Sequence, residues 1–130
     1  MAPHAKIFIF DDSRESVETV TRILANAGHR VVGTANYIDD LKTHVRGASF
    51  DVALIDNQAP WTRKEFDRGE ADPKGVGRIA EKIILGSQPD AVTIAFTSTE
   101  SHNYGDYHFD PANGGDIGSF ISSLPKRARR

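Results

Sequence analysis

Three short, nearly unbroken apolar runs, Ile7–Phe10, Val52–Ile55 and Val92–Phe96, constrain this chain more than any other feature. A strand with one wet face alternates apolar and polar residues, whereas a strand covered on both faces reads as a continuous apolar segment. Such strands need helices above and below them, so the runs predict a parallel sheet inside an α/β domain. Weaker strand-like segments occur at Val31–Thr34 and Tyr107–Phe109.

The segments between the runs have helical spacing. Val17, Val20, Leu24 and Ala27 mark a helix that Ser13 caps and Gly28 stops. Ile38, Leu41 and Val45 repeat the pattern in a shorter helix ending at Gly47. A third helix carries Val76, Ile79, Ala80 and Ile83 and closes at Gly86. The last carries Ile117, Phe120, Ile121 and Leu124 before Pro125. Each stripe reads as a core face. Strands alternating with helices through short right-handed crossovers give a doubly wound parallel sheet.

Two stretches break this rhythm. Ala59 to Gly75 is polar and charged, contains Pro60 and Pro73, and is too long for an ordinary strand-to-helix loop. Trp61 is expected to fold it onto the body. Thr97 to Asp116 holds the weak fifth strand with no convincing helix before it, so a fourth helix is either a single turn or missing.

Composition narrows the function classes. A chain of 130 residues suits one domain, and a net charge of -2 gives no ground for nucleic acid as a general partner. The basic run Lys126–Arg130 reads as a solvated tail, which sets the domain at 1–125 and the tail at 126–130. The absence of cysteine excludes disulfides, thiol catalysis and Cys-based zinc sites. No apolar stretch approaches the ~20 residues needed to cross a bilayer. The N-terminus enters the first strand directly, without room for a signal peptide, so a cytoplasmic protein with no membrane contact is expected. The histidines, His102 and His108 among them, read as surface residues.

The chemistry lies at the strand ends. Asp11-Asp12 close the first run and Asp56 closes the third. In an open α/β sheet the C-terminal strand edge is where ligands bind. Three acids meeting there repel one another unless a cation or protons join them, which points to a divalent-metal site with one acid left for chemistry. A single Asp at a strand end commonly caps the following turn. The set Asp11-Asp12, Asp56, Pro60 and Thr97 on successive strand ends is far more specific.

That set resembles the receiver domain of two-component response regulators, from Lys6 to Pro60 and again from Val92 to Ser98. The resemblance implies a flavodoxin-like sheet of strand order 2-1-3-4-5. It implies that Asp56 accepts a phosphoryl group from a histidine kinase or phosphotransfer protein. It also implies that Asp11, Asp12, Asp56 and the backbone carbonyl of Gln58 hold Mg2+. A hard cation that keeps several waters needs few carboxylates. Thr97 matches the hydroxyl that bonds the phosphoryl group, and Tyr107 matches the aromatic that changes rotamer with it.

One departure stands out. Tyr107-His108-Phe109-Asp110-Pro111 carries Asp110 where the family has lysine. A carboxylate there adds negative charge beside the acids, raising their pKa values or strengthening cation binding. Lys64 or Lys74 from the long loop would be the substitutes. The leading expectation is a phosphoacceptor, either stand-alone or the receiver part of a longer protein and not a classical enzyme, that switches a contact with a downstream protein and leaves homodimerisation open. The alternatives are a degenerate receiver signalling by binding alone and a metal-dependent phosphatase. Phosphatases of the haloacid-dehalogenase type carry a second aspartate two residues after the nucleophile, where this chain has Gln58.

Overall fold

The apolar runs pair side by side. In the computed structural model, residues 4–98 and 103–125 are described. They form one five-stranded parallel sheet with strands β1 (Lys6–Phe10), β2 (Arg30–Ala35), β3 (Val52–Ile55), β4 (Val92–Phe96) and β5 (Tyr107–Phe109), ordered β2-β1-β3-β4-β5. This is the flavodoxin-like order. Along β1, Ile7 and Ile9 enter one core while Phe8 and Phe10 enter the other, so the strand is buried on both faces.

Helices α1 (Arg14–Asn26) and α5 (Ile117–Ser123) cover one face through Val20, Leu24, Ile117 and Ile121. Helices α2 (Ile38–His44) and α4 (Gly77–Ser87) cover the other through Ile38, Leu41, Ala80 and Ile84. Phe8 is fully buried there, 5.2 Å from the Phe50 ring. The β1–β2 register slips between Ile7 and Phe8, where Val32 is the extra residue on β2 and Gly33 faces Phe8.

Start and stop signals act as the sequence predicts for α1, where the Ser13 hydroxyl accepts the Ser16 N–H at 3.1 Å. Three details differ. Helix α4 runs past Gly86 to Ser87, and its inward stripe uses Ile84, leaving Ile79 37% exposed. His29 is a core residue rather than a surface one. Its Nδ1 accepts from the Ala5 N–H, and its Nε2 faces the Gly118 carbonyl and the Ser122 hydroxyl, tying α5 to the sheet. Finally, the polar stretch after β3 contains a helix, α3 (Arg63–Asp67). A reciprocal capping box holds it: Glu65 N–H donates to the Thr62 hydroxyl, and Thr62 N–H donates to Glu65. Trp61 Nε1 donates to Asp72 at 2.8 Å and folds the stretch onto the core, as expected.

Among the described residues no helix lies between β4 and β5, in line with a shortened or missing fourth helix; 99–102 fall outside them. The ring of Tyr104 fills part of that face instead. Among the described residues no helix is long and apolar enough to cross a membrane. The basic tail, 126–130, also lies outside the described residues.

Candidate functional site

Ladder hydrogen bonds continue one residue past the strands and align the acids. Asp11 N–H donates to Ala35 O at 3.0 Å, and Asp56 N–H donates to Phe10 O at 2.9 Å. Asp11 and Asp56 therefore stand side by side at the C-terminal edge, with Asp12 next to them. One carboxylate oxygen from each of the three lies within 4.8 Å of the others.

Each acid has its own environment. Asp11 is buried; it accepts from Ser13 N–H at 2.9 Å and from the Ser16 hydroxyl at 3.1 Å. Its carbonyl accepts from Asn36 Nδ2 at 2.8 Å. Asp12 and Asp56 are half-buried, and Asp56 accepts from Gln58 N–H at 3.1 Å. Burial raises the pKa of all three. Asp56 moves furthest, up to about 7, through burial and then the charge of Asp11, against the lowering effect of the Gln58 N–H bond. Asp11 and Asp56 titrate together, so a proton shared by this pair relieves the cluster when no cation does. Every charge acting on it is another carboxylate.

The donor set suits a small hard dication. Two ligands of one Mg2+ are at most about 4.2 Å apart, twice its usual bond length. A spread of 4.8 Å needs only small side-chain rotations to close. Such an ion would take the place of the protons that burial and mutual repulsion otherwise retain.

The other expected residues sit along the same edge in different roles. Thr97 is buried, donates its N–H to Phe109 O at 3.2 Å and accepts from His108 Nε2 on its carbonyl at 2.7 Å. Tyr107 packs on the α1/α5 side, edge-on to Phe120 at 6.3 Å. Asp110 turns into the next segment: its carboxylate accepts the Ala112 N–H at 2.8 Å and caps a 3-10 turn over Pro111–Asn113. It is not among the charges that raise the acids, so the added repulsion expected from it is not what shifts them. Lys64 and Lys74 are both exposed, and neither acts on Asp56.

Two residues that the sequence reading passed over flank Asp56. Asn57 Oδ1 accepts the Gly77 N–H at 2.9 Å, joining the turn after β3 to the start of α4. Gly75, at φ 82, lies so close over the Asn57 amide that a Cβ would come within 2.5 Å of it. Tyr104 donates its hydroxyl to Ile55 O at 2.8 Å. The Gly-Val-Gly spacing at 75–77 was the available signal for the first; an aromatic in a polar segment gave none for the second.

No protein-family model matches the chain, and no curated protein matches it either. Solved structures do. A CheY-like response regulator receiver domain protein from Methanospirillum hungatei is 20% identical with a TM-score of 0.67, covering 91% of this chain and 90% of that one. The response regulator TrrA from Thermotoga maritima, in complex with Mg(2+)-BeF, is 16% identical with a TM-score of 0.68 over 92% and 98%. The chain has the receiver-domain fold. A response regulator from Burkholderia pseudomallei with a phosphorylated aspartic acid and a calcium ion shares it at 17% identity and a TM-score of 0.67, over 92% of this chain and 66% of that one. In this receiver fold the acidic trio occupies the C-terminal edge of two adjacent interior strands, β1 and β3.

Proposed function

We propose that this chain is a signalling receiver in which Asp56 accepts a phosphoryl group and so controls contact with another protein. The observation that carries the reading is the convergence of Asp11, Asp12 and Asp56 on one strand edge, with Asp56 holding the most strongly raised pKa. An Asp56 carboxylate oxygen attacks phosphorus, and the bond from phosphorus to the donor breaks. The product is an acyl phosphate on Asp56, and the donor nitrogen or oxygen leaves with its electron pair and takes up a proton. Asp11 and Asp12 would hold Mg2+ together with Asp56 and the Gln58 carbonyl. When bound, that ion offsets repulsion between an anionic nucleophile and an anionic donor. The donor would be a histidine kinase or phosphotransfer protein, and a phosphorylated aspartate in a protein of the same fold supports the chemistry.

A second reading has an observation of its own. No cation stands at position 110, and Asp110 is committed to Ala112. A receiver that binds its partner without phosphorylation fits that feature. Incubation with Mg2+ and acetyl phosphate followed by intact-mass measurement separates the two. The phosphoacceptor reading expects a gain of one phosphoryl group that Asp56→Asn abolishes. Failure to bind either Mg2+ or beryllofluoride would sink it and favour the binding module, whereas steady phosphomonoester turnover would point to a phosphatase.

A further inference from the structure

Tyr104 belongs by sequence to the β4–β5 connection, yet its hydroxyl is attached to the acceptor strand. Its ring is buried, and its Oη donates at 2.8 Å to Ile55 O, the carbonyl of the peptide that leads into Asp56. The ring also presses on the first residue of α4, where a Cβ on Gly77 would fall 2.2 Å from it. Gly77 in turn gives its N–H to Asn57, the residue after Asp56. Asp56 is therefore bracketed. The peptide before it is held by Tyr104, the side chain after it by Gly77, and those two holders touch.

The bracket continues outward. Gly105 N–H donates to Glu81 on α4 at 2.8 Å, and the same carboxylate oxygen accepts the Thr93 hydroxyl at 2.7 Å. Asp106 accepts the Thr93 N–H at 3.0 Å, closing the connection onto β4. Burial, with the charges of Asp56 and Glu81, raises the Tyr104 pKa, so the phenol stays a neutral donor while the charge on Asp56 reaches it.

We propose that Tyr104 is a positioning residue that couples the state of Asp56 to the β4–β5 connection through the Ile55 carbonyl. The inference rests on the phosphoacceptor reading. A ligand shifts a conformational balance only as far as it interacts differently with the two states. Loading Asp56 changes the charge next to the phenol and the strain on the peptide it holds. Gly77 leaves no space on the α4 side, so the ring's displacement is directed away from α4, and Gly105 follows it.

Amide and aromatic spectra of the whole chain, recorded with Mg2+ before and after beryllofluoride, test this. In the wild type the Gly105 amide and the Tyr104 ring signals shift on loading. Tyr104→Phe keeps the ring and removes the donor; it still binds beryllofluoride, loses the Gly105 shift, and changes the phosphoryl lifetime roughly fivefold, the ratio a neutral hydrogen bond typically carries. Gly77→Ala keeps the donor and displaces the ring, moving Gly105 before any loading. A merely structural Tyr104 would lower the unfolding midpoint and leave the loading shift intact. Bound beryllofluoride with Gly105 unmoved in the wild type, or equally moved in Tyr104→Phe, overturns the coupling alone. No binding of beryllofluoride overturns the phosphoacceptor reading and the coupling with it.

Discussion

At the residue scale, Asp56 is the group whose protonation matters most. Its pKa is raised from 3.8 to about 7 in the folded chain, so the folded state holds its proton more tightly than the unfolded chain does. Without a divalent ion, stability is therefore greatest below pH 4 as far as this group is concerned, and it falls as pH rises towards 7. Asp56→Asn removes that loss. Urea unfolding at pH 8 is expected to show the variant more stable than wild type by up to about 4 kcal/mol, with the difference vanishing near pH 4. A bound cation must displace the same proton, so Mg2+ affinity should climb with pH up to about 7, which calorimetry at several pH values will read. Asp110→Lys behaves differently. It removes the cap on Ala112 at a cost of about 1 kcal/mol. It also returns a cation to the end of β5, and the phosphoryl lifetime followed by intact mass should lengthen; an unchanged lifetime would show that position 110 does not reach the site.

At the scale of elements, the strands and the long helices were legible because their patterns are local. Ile7–Phe10 and Val52–Ile55 declare burial on both faces, and Val20 and Leu24 declare one turn-spaced stripe. Helix α3 was missed because it has no such stripe: the signal present, Thr62-Arg63-Lys64-Glu65, is a capping box with no apolar run behind it. The acids could be placed because strand ends are local too. Tyr104 and Asn57 escaped because their partners, Ile55 and Gly77, are distant in sequence, and only the assembled sheet brings them together. Thr62→Ala tests the α3 assignment. Loss of the cap should cost about 1 kcal/mol and speed amide exchange at Phe66–Glu70, while the rest of the chain exchanges as before.

At the scale of the whole molecule, two cores share one sheet, and Phe8 anchors the one beneath α2 and α4. Phe8→Ala leaves a cavity against Phe50 and Gly33, and chemical unfolding should show a loss of about 3–4 kcal/mol. That is a large part of the 5–15 kcal/mol typical of a domain.

The strand order also divides labour by rigidity. The acids sit at the ends of β1 and β3, each flanked by strands on both sides, whereas β5 is a three-residue edge strand in which no residue is fully buried. Amides of Ile9 and Leu54 should exchange only with global opening, and those of Tyr107–Phe109 through far cheaper local openings. The acids thus stand on interior strands, where fluctuation should be rarest, and the β5 edge is where local opening should be cheaper. A partner that binds this rim would slow exchange there long before it altered the acids.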